Sequence, residues 1–326
     1  MFKQFYKEYI PLFKKEYQGS VQVTLPHSFY EPILYTLMNH GKQIRPAVLS
    51  AVYTALSGKD VNKSLPAAIS VEMVHNFTLL HDDIMDGDVI RHGHATVNAK
   101  WDDNTAILAG DGLFAIALKQ LDGYKEDTAL YVKLMPELLE AVITVSEGQA
   151  QDLEFESRND VSLEEYLEMI DKKTAKLLSV SAKLGAYIAG VDNNTCYLVE
   201  QIINELGIVF QIQDDLLELT ASELSMGKSL GSDLIKKKKT YPFLYAKENL
   251  DSEDWHRFLL MIDEEYICEH GTRPAIGILE GNLIFDRIQE HIKLRHVIIQ
   301  GLISKLPKAS QTMFESIVEF IMNRKY

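Results

Sequence analysis

Apolar residues recur at spacings of three and four along much of the chain. In "CYLVEQIINELGIVFQIQDDLLEL", residues 196–219, Leu198, Ile202, Leu206 and Val209 make one stripe, the period of a helix with a single face in a core. "MFESIVEFIMNRKY" repeats the pattern at the C-terminus with Phe314, Ile317 and Ile321. Pro11, Pro26, Pro32, Pro46 and Pro66 punctuate the first part, whereas no proline falls between Pro136 and Pro242, where long helices are predicted. No segment alternates apolar and polar residues around a hairpin turn, and no Gly-rich loop joins a strand to a helix. The pattern predicts an all-α protein, a large helical bundle. No linker or low-complexity tract divides it, so a single domain over residues 1–326 is expected.

One stretch breaks its own pattern. "FTLLHDDIMDGDVIRHG", residues 77–93, passes from apolar residues straight into aspartates. If 67–86 is helical, Asp82 and Asp86 stand at i and i+4 and rise from one face, with Asp83 offset. Like charges one turn apart are unfavourable, more so where Leu79, Leu80, Ile84 and Met85 exclude water, so a cation should compensate. Oxygen ligands at this spacing suit Mg²⁺, which keeps several waters and shares its coordination with substrate phosphates. A solvated acidic helix face is the alternative. The balance shifts with "FQIQDDLLE", where Asp214, Asp215 and Glu218 repeat the i, i+1, i+4 spacing. In an antiparallel bundle, helices with inward-facing boxes would build one polar pocket in an apolar core.

At 326 residues with 46% hydrophobic and 25% charged residues, the chain can bury a sizeable core. Its formal net charge of −14 excludes nucleic acid as an expected partner, because phosphate backbones are held by surplus Lys and Arg. Cys196 and Cys268 are too few for a disulfide framework, which fits a reducing cytoplasm. "MFKQFYKEYIPLFKKEY" lacks the uninterrupted apolar region of a signal peptide, and no run reaches transmembrane length.

Basic residues supply the other half of the candidate chemistry. "GKQIRP" offers Lys42 and Arg45, "DKKTAK" offers Lys173 beside Thr174, and "MGKSLGSDLIKKKKT" offers Lys228 and Lys238. Singly, each reads as a solvated residue near a helix end. Beside two carboxylate boxes they describe a site for a polyanion, with metal bridges on one side and cationic clamps on the other.

Together, "GKQIRP", "EMVHNFTLLHDDIMD", "RHGHATV", "AGDGLF", "EGQAQDL", "KKTA", "FQIQDD" and "GKSLGSDLIKKKKT" resemble, in order and approximate spacing, the trans-prenyl diphosphate synthases. These are the geranylgeranyl, farnesyl and longer polyprenyl diphosphate synthases. The resemblance runs from about residue 41 to 242, and "FIMNRKY" also looks like the family's C-terminal end. It implies the isoprenoid-synthase fold, an antiparallel bundle around a central cavity, and a homodimer. It also implies Mg²⁺, three ions per site, on Asp82, Asp86 and Asp214, with Asp83, Asp215 and Glu218 completing the boxes. Arg91, Lys173, Gln211, Lys228 and Lys238 match residues that hold the allylic diphosphate, with Thr174 beside them. Lys42, Arg45 and His75 match those that hold isopentenyl diphosphate, although His75 alone would read as a core histidine.

The implied reaction is ionisation, condensation and elimination. Diphosphate leaves an allylic primer (dimethylallyl, geranyl or farnesyl), the double bond of isopentenyl diphosphate attacks the carbocation, and proton loss completes the extension. Apolar walls keep water from the cation. Phe77 lies five residues before Asp82, roughly 7 Å up the helix at about 1.5 Å per residue. With Thr78 and Met73 it is expected to set chain length, giving a geranylgeranyl product, with farnesyl as runner-up and a longer-chain product as a further alternative. Two positions depart from the family pattern. His92 stands where a second arginine is usual, so isopentenyl diphosphate binding is expected to be weaker and to tighten as pH falls. Glu218 replaces the usual aspartate. A regulatory subunit of a heteromeric synthase, a terpene cyclase and a purely structural bundle are the alternatives. Intact Asp82, Asp86, Asp214, Lys173 and Lys228 speak against the first, Lys42, Arg45 and His75 against the second, and the ordered basic motifs against the third.

Overall fold

The structure, a computed structural model, describes residues 1–39, 41–220 and 232–323. Helices α1 (Phe2–Gly19), α2 (His27–Met38), α3 (Ile44–Ser57) and α4 (Leu65–Met85) lead into a hairpin of β1 (Ile90–Arg91) and β2 (His94–Ala95). After it come α5 (Val97–Lys100), α6 (Asp103–Gln120), α7 (Thr128–Ser157) and α8 (Leu163–Ile170). A π-helical turn, Asp171–Ala175, joins α8 to α9 (Lys176–Ala189), which is followed by α10 (Asn193–Thr220). The remaining helices are α11 (Ser232–Ile235), α12 (Tyr241–Asn249), α13 (Ser252–Met261), α14 (Glu264–His270), α15 (Arg273–Gly281), α16 (Ile284–Ile303) and α17 (Lys308–Met322). The all-α reading holds. The small hairpin was not foreseen: its strands are two residues each, and its turn places His92 (φ 51°) and Gly93 (φ 79°) in the left-handed region that a tight two-residue turn demands.

The chain divides into two compact units, each assembled from three separated stretches. The first comprises Met1–Ile143, Leu177–Gln201 and Lys305–Ile317, and the second Thr144–Lys176, Ile202–Ser304 and Val318–Tyr326.

In the first unit α4 is the central helix, with Ala67, Ala68, Val71, Met73 and Val74 fully buried, and it packs against α1, α3 and α6. Helix α6 comes close to α4 because "AGDGLF" lacks bulk. A Cβ on Gly110 would lie 2.4 Å from His81 Nε2 on α4, and one on Gly112, which faces α2, would lie 2.4 Å from Phe29. Along α1, Tyr9, Phe13 and Tyr17 stack at centroid separations of 5.6 and 5.4 Å, so the lysine-and-aromatic opening of the sequence is an amphipathic helix. Pro11 lies inside α1 on its exposed side. In the second unit α12 packs on α8 and α16, around Phe258, Ile276, Leu279 and Ile288 in the core. Among the described residues no helix is long and apolar enough to cross a membrane.

Candidate active site

The first acidic box closes α4. Asp82 and Asp83 stand in the helix's last turn and Asp86 is its C-cap. The partial negative charge of a helix C-terminus therefore adds to these carboxylates and deepens their need for a cation. Asp82 and Asp86 are half-buried, whereas Asp83 is buried at 4% exposure. Burial raises the Asp83 carboxyl, and the Arg91 guanidinium beside it opposes the rise. Arg91 Nε donates to Asp83 Oδ1, and Arg91 Nη2 reaches Asp88 Oδ2 at 3.2 Å. The hairpin thus fixes the arginine to the helix that carries the box.

The basic residues expected around isopentenyl diphosphate also gather in the first unit. Arg45 Nη1 lies 3.1 Å from His75 Nε2. An arginine can only donate, so this nitrogen accepts and the proton of the neutral ring sits on Nδ1. Burial pushes the imidazole well below its ordinary value, with the positive charges of Arg45, His92 and Arg91 acting the same way. His75 therefore orients Arg45 as a neutral group. Beneath them lies Glu72, 2% exposed, its carboxyl raised to about 7 by burial against the pull of Arg45. Exposed His92 stands against Gly41, where a Cβ would lie 2.8 Å from its Nε2, so the turn reaches the segment bearing Lys42. Lys42 is exposed, and its carbonyl accepts from the Tyr6 hydroxyl. A cavity of about 40 Å³ in this unit is lined by Asn76, Asp83, Arg91 and His92, among others.

The second box repeats the logic of the first near the Thr220 end of α10. Asp214 and Glu218 are half-buried, whereas Asp215 is buried at 6% exposure. Both Asp215 oxygens are engaged: Oδ1 accepts from Gln211 Nε2 at 2.9 Å, and Oδ2 accepts from the Tyr166 hydroxyl and from Tyr241 N at 2.9 Å. Burial raises this carboxyl to about 7 even though these donors favour its charged form. Glu218 Oε1 accepts from Asp233 N at 3.2 Å. Gln211, with its amide nitrogen held by Asp215, accepts on Oε1 from Thr174 Oγ1 at 3.1 Å. Lys173 Nζ pairs with Asp152 Oδ2 at 2.5 Å. Lys238 is half-buried. Lys228 lies outside the described residues.

In both boxes, then, the first aspartate and the residue one turn later stay partly open, while the middle aspartate is buried and holds neighbouring elements. Asp83 and Asp215 are expected to complete the boxes as ligands; Asp83 Oδ1 and both oxygens of Asp215 also hold neighbouring side chains and backbone. Four half-buried carboxylates fit Mg²⁺, a hard cation that keeps waters and takes oxygen ligands. Among the described residues no three His, Cys, Asp or Glu side chains converge as a metal cage.

Residues 26–279 match the polyprenyl synthetase family. The chain belongs to that family. It is 41% identical over 226 residues to the geranylgeranyl diphosphate synthase of Methanosarcina mazei, covering 69% of each chain. It is 39% identical over 322 residues to the geranylfarnesyl diphosphate synthase of Natronomonas pharaonis, covering 93% of this chain and 92% of that one. Its fold superposes on the crystal structure of geranylgeranyl pyrophosphate synthetase from Pyrococcus horikoshii with a TM-score of 0.90 at 33% identity, covering 99% and 98% of the two chains. The protein is accordingly a trans-prenyltransferase, of a family that works in general with Mg²⁺.

Phe77 and Thr78 are half-buried, and Met73 is fully buried inside the first unit. The Phe77 ring stands 5.0 Å from that of His81 and 5.3 Å from that of Phe114 on α6. Phe114, Asp88, Glu72, Asp152 and Tyr166 were not singled out in the sequence. Asp152 and Phe114 lie inside "EGQAQDL" and "AGDGLF", so those motifs contained the signal, whereas nothing local marks Tyr166 as the partner of Asp215.

Proposed function

We propose that this enzyme condenses isopentenyl diphosphate with an allylic diphosphate and releases geranylgeranyl diphosphate. The observation that carries the reading is the shared construction of the two boxes: an open carboxylate pair beside a buried aspartate that orders a substrate-binding side chain, Arg91 in one box and Gln211 in the other.

In this reading Asp82, Asp86 and Asp214, with Glu218, would hold three Mg²⁺ ions, while Asp83 and Asp215 keep the boxes in shape. Bound there, Mg²⁺ supplies positive charge that stabilises diphosphate as it departs. Arg91, Lys173, Gln211, Lys228 and Lys238 grip the allylic diphosphate, and their donors and charges match the negative charge that develops on the leaving oxygen. Thr174 keeps the Gln211 amide oriented. Lys42, Arg45 and His92 hold isopentenyl diphosphate, and neutral His75 sets the direction of Arg45. Held in place, its double bond attacks the allylic cation; proton loss, with departing diphosphate as base, completes each five-carbon step. Phe77 limits the tail to about four isoprene units, as its bulk blocks further room.

The chain acts as one isoprenoid-synthase-type domain, since each compact unit is built from three separated stretches and neither is a continuous piece. A homodimer is supported by large apolar side chains left open on the first unit, Ile107 and Leu108 on α6 and Val132, Leu139 and Ile143 on α7. Its two cysteines are both free, in keeping with a cytoplasmic protein. Incubation of the isolated chain with labelled isopentenyl diphosphate, Mg²⁺ and each short allylic primer tests the reading. A labelled twenty-carbon diphosphate supports it; no extension of any primer refutes it.

A further inference from the structure

Lys173 and Thr174 sit in an unusual piece of backbone. The π-helical turn Asp171–Ala175 interrupts what would otherwise be one helix from Leu163 to Ala189. Such a turn is rare and occurs mostly as a single-turn bulge inside an α-helix, frequently at functional sites. Its two consecutive polar residues reach different helices, Lys173 to Asp152 on α7 and Thr174 to Gln211 on α10.

Besides these two bonds, three further contacts hold this turn from outside. Helix α7 meets it at Gly148, where a Cβ would lie 2.5 Å from Lys173 N, and α10 meets it at Gly207, where a Cβ would lie 2.7 Å from Ala175 Cα. Backbone stands on the far side of both approaches, so neither leaves room for a side chain. The third contact is polar: Asn204 Nδ2 donates to Asp171 Oδ1 at 2.5 Å. Asn204, Gly207 and Gln211 stand at i, i+3 and i+7 on α10 and share the stripe of the helix that faces the turn. The glycines permit the close approach but do not choose a register. The Asn204–Asp171 bond does, because it ties the first residue of the turn to the helix whose Gln211 must meet Thr174.

We propose that Asn204, acting through Asp171, is a positioning residue that holds the π-turn in the register presenting Lys173 and Thr174 to the allylic diphosphate. The proposal rests on the functional reading above. Asn204→Asp turns the bond into two facing carboxylates, whereas Asp171→Asn still accepts from Asn204. The double variant Asn204→Asp with Asp171→Asn restores the bond with its polarity reversed.

Steady-state kinetics with each substrate varied separately, thermal melting, and amide hydrogen exchange of residues 172–176 form the test. N204D is expected to lower kcat at least tenfold, roughly the loss of one charge-assisted hydrogen bond, while the Michaelis constant for isopentenyl diphosphate stays within twofold. Exchange across the turn should accelerate at least tenfold. The double variant should recover kcat to within about threefold of the wild type, and exchange to the same degree. Should N204D not fold, N204A with the same readouts replaces it. Wild-type kinetics and exchange in the folded single variant overturn the proposal, as does a double variant no better than N204D. A wild-type chain that transfers no prenyl group, yet shows the expected exchange pattern, overturns the functional reading and leaves the structural coupling standing.

Discussion

Replacing Phe77 by alanine should lengthen the product. The phenyl ring it deletes is packed edge-on against His81 and tilted against Phe114, with centroids 5.0 and 5.3 Å away. The His81 ring is also seated against Gly110, where a Cβ would lie 2.4 Å from its Nε2. A phenyl group is close in carbon count to one isoprene unit, so the vacated volume admits roughly one further unit before the tail meets Phe114. The variant should therefore shift its main product from about twenty to about twenty-five carbons, and F77A with Phe114→Ala should shift it further. Phe77 is half-buried, so the stability cost should fall below the ~3–5 kcal/mol of a fully buried phenylalanine, about 1–3 kcal/mol, and leave the enzyme folded. Chain-length analysis of labelled products from purified variants, alongside thermal melts, reads the outcome. An unchanged product distribution from a folded F77A enzyme would refute the assignment of Phe77 as the floor of the tail pocket.

Two other residues carry predictions of their own. His92→Arg should lower the Michaelis constant for isopentenyl diphosphate at least severalfold; an unchanged constant would contradict a binding role for His92. Glu72 bears on stability, since burial raises its carboxyl to about 7. The folded state therefore binds this proton more tightly than the unfolded chain, and the resulting stabilisation is present at acid pH and lost as pH rises through about 7. Relative to Glu72→Gln, the wild type should lose roughly 2–3 kcal/mol of unfolding free energy between pH 5 and pH 8.5, and a constant difference in denaturant titrations would show that Glu72 is not held as described.

The fold was largely legible because helical periodicity is a local property. The helix expected over 67–86 spans Leu65–Met85, and the spacing of Asp82 and Asp86 placed them on one face without tertiary information. The hairpin was missed because two-residue strands carry no alternation, although "HG" between "IR" and "HA" is the turn chemistry of a tight hairpin. Charge pattern marked Asp83 and Asp215 as members of the boxes but gave no sign that they are buried. That difference depends on Arg91 eight residues away and on Tyr166 and Tyr241 in other helices. The same limit applies to the π-turn. "DKKTAK" reads as ordinary helix, and its departure from α geometry is set by Gly148, Asn204 and Gly207, which only the fold brings to it.

The central claim is that the open carboxylates of both boxes bind divalent cations together with the allylic diphosphate. Calorimetric titration with a non-ionisable allylic diphosphate analogue, with and without Mg²⁺, tests it without depending on turnover. The account predicts binding only when Mg²⁺ is present, and a loss of at least about tenfold in affinity for each of Asp82→Asn, Asp86→Asn and Asp214→Asn, with the proteins still folded. Binding of equal strength without the metal, or untouched by these three substitutions, would contradict it.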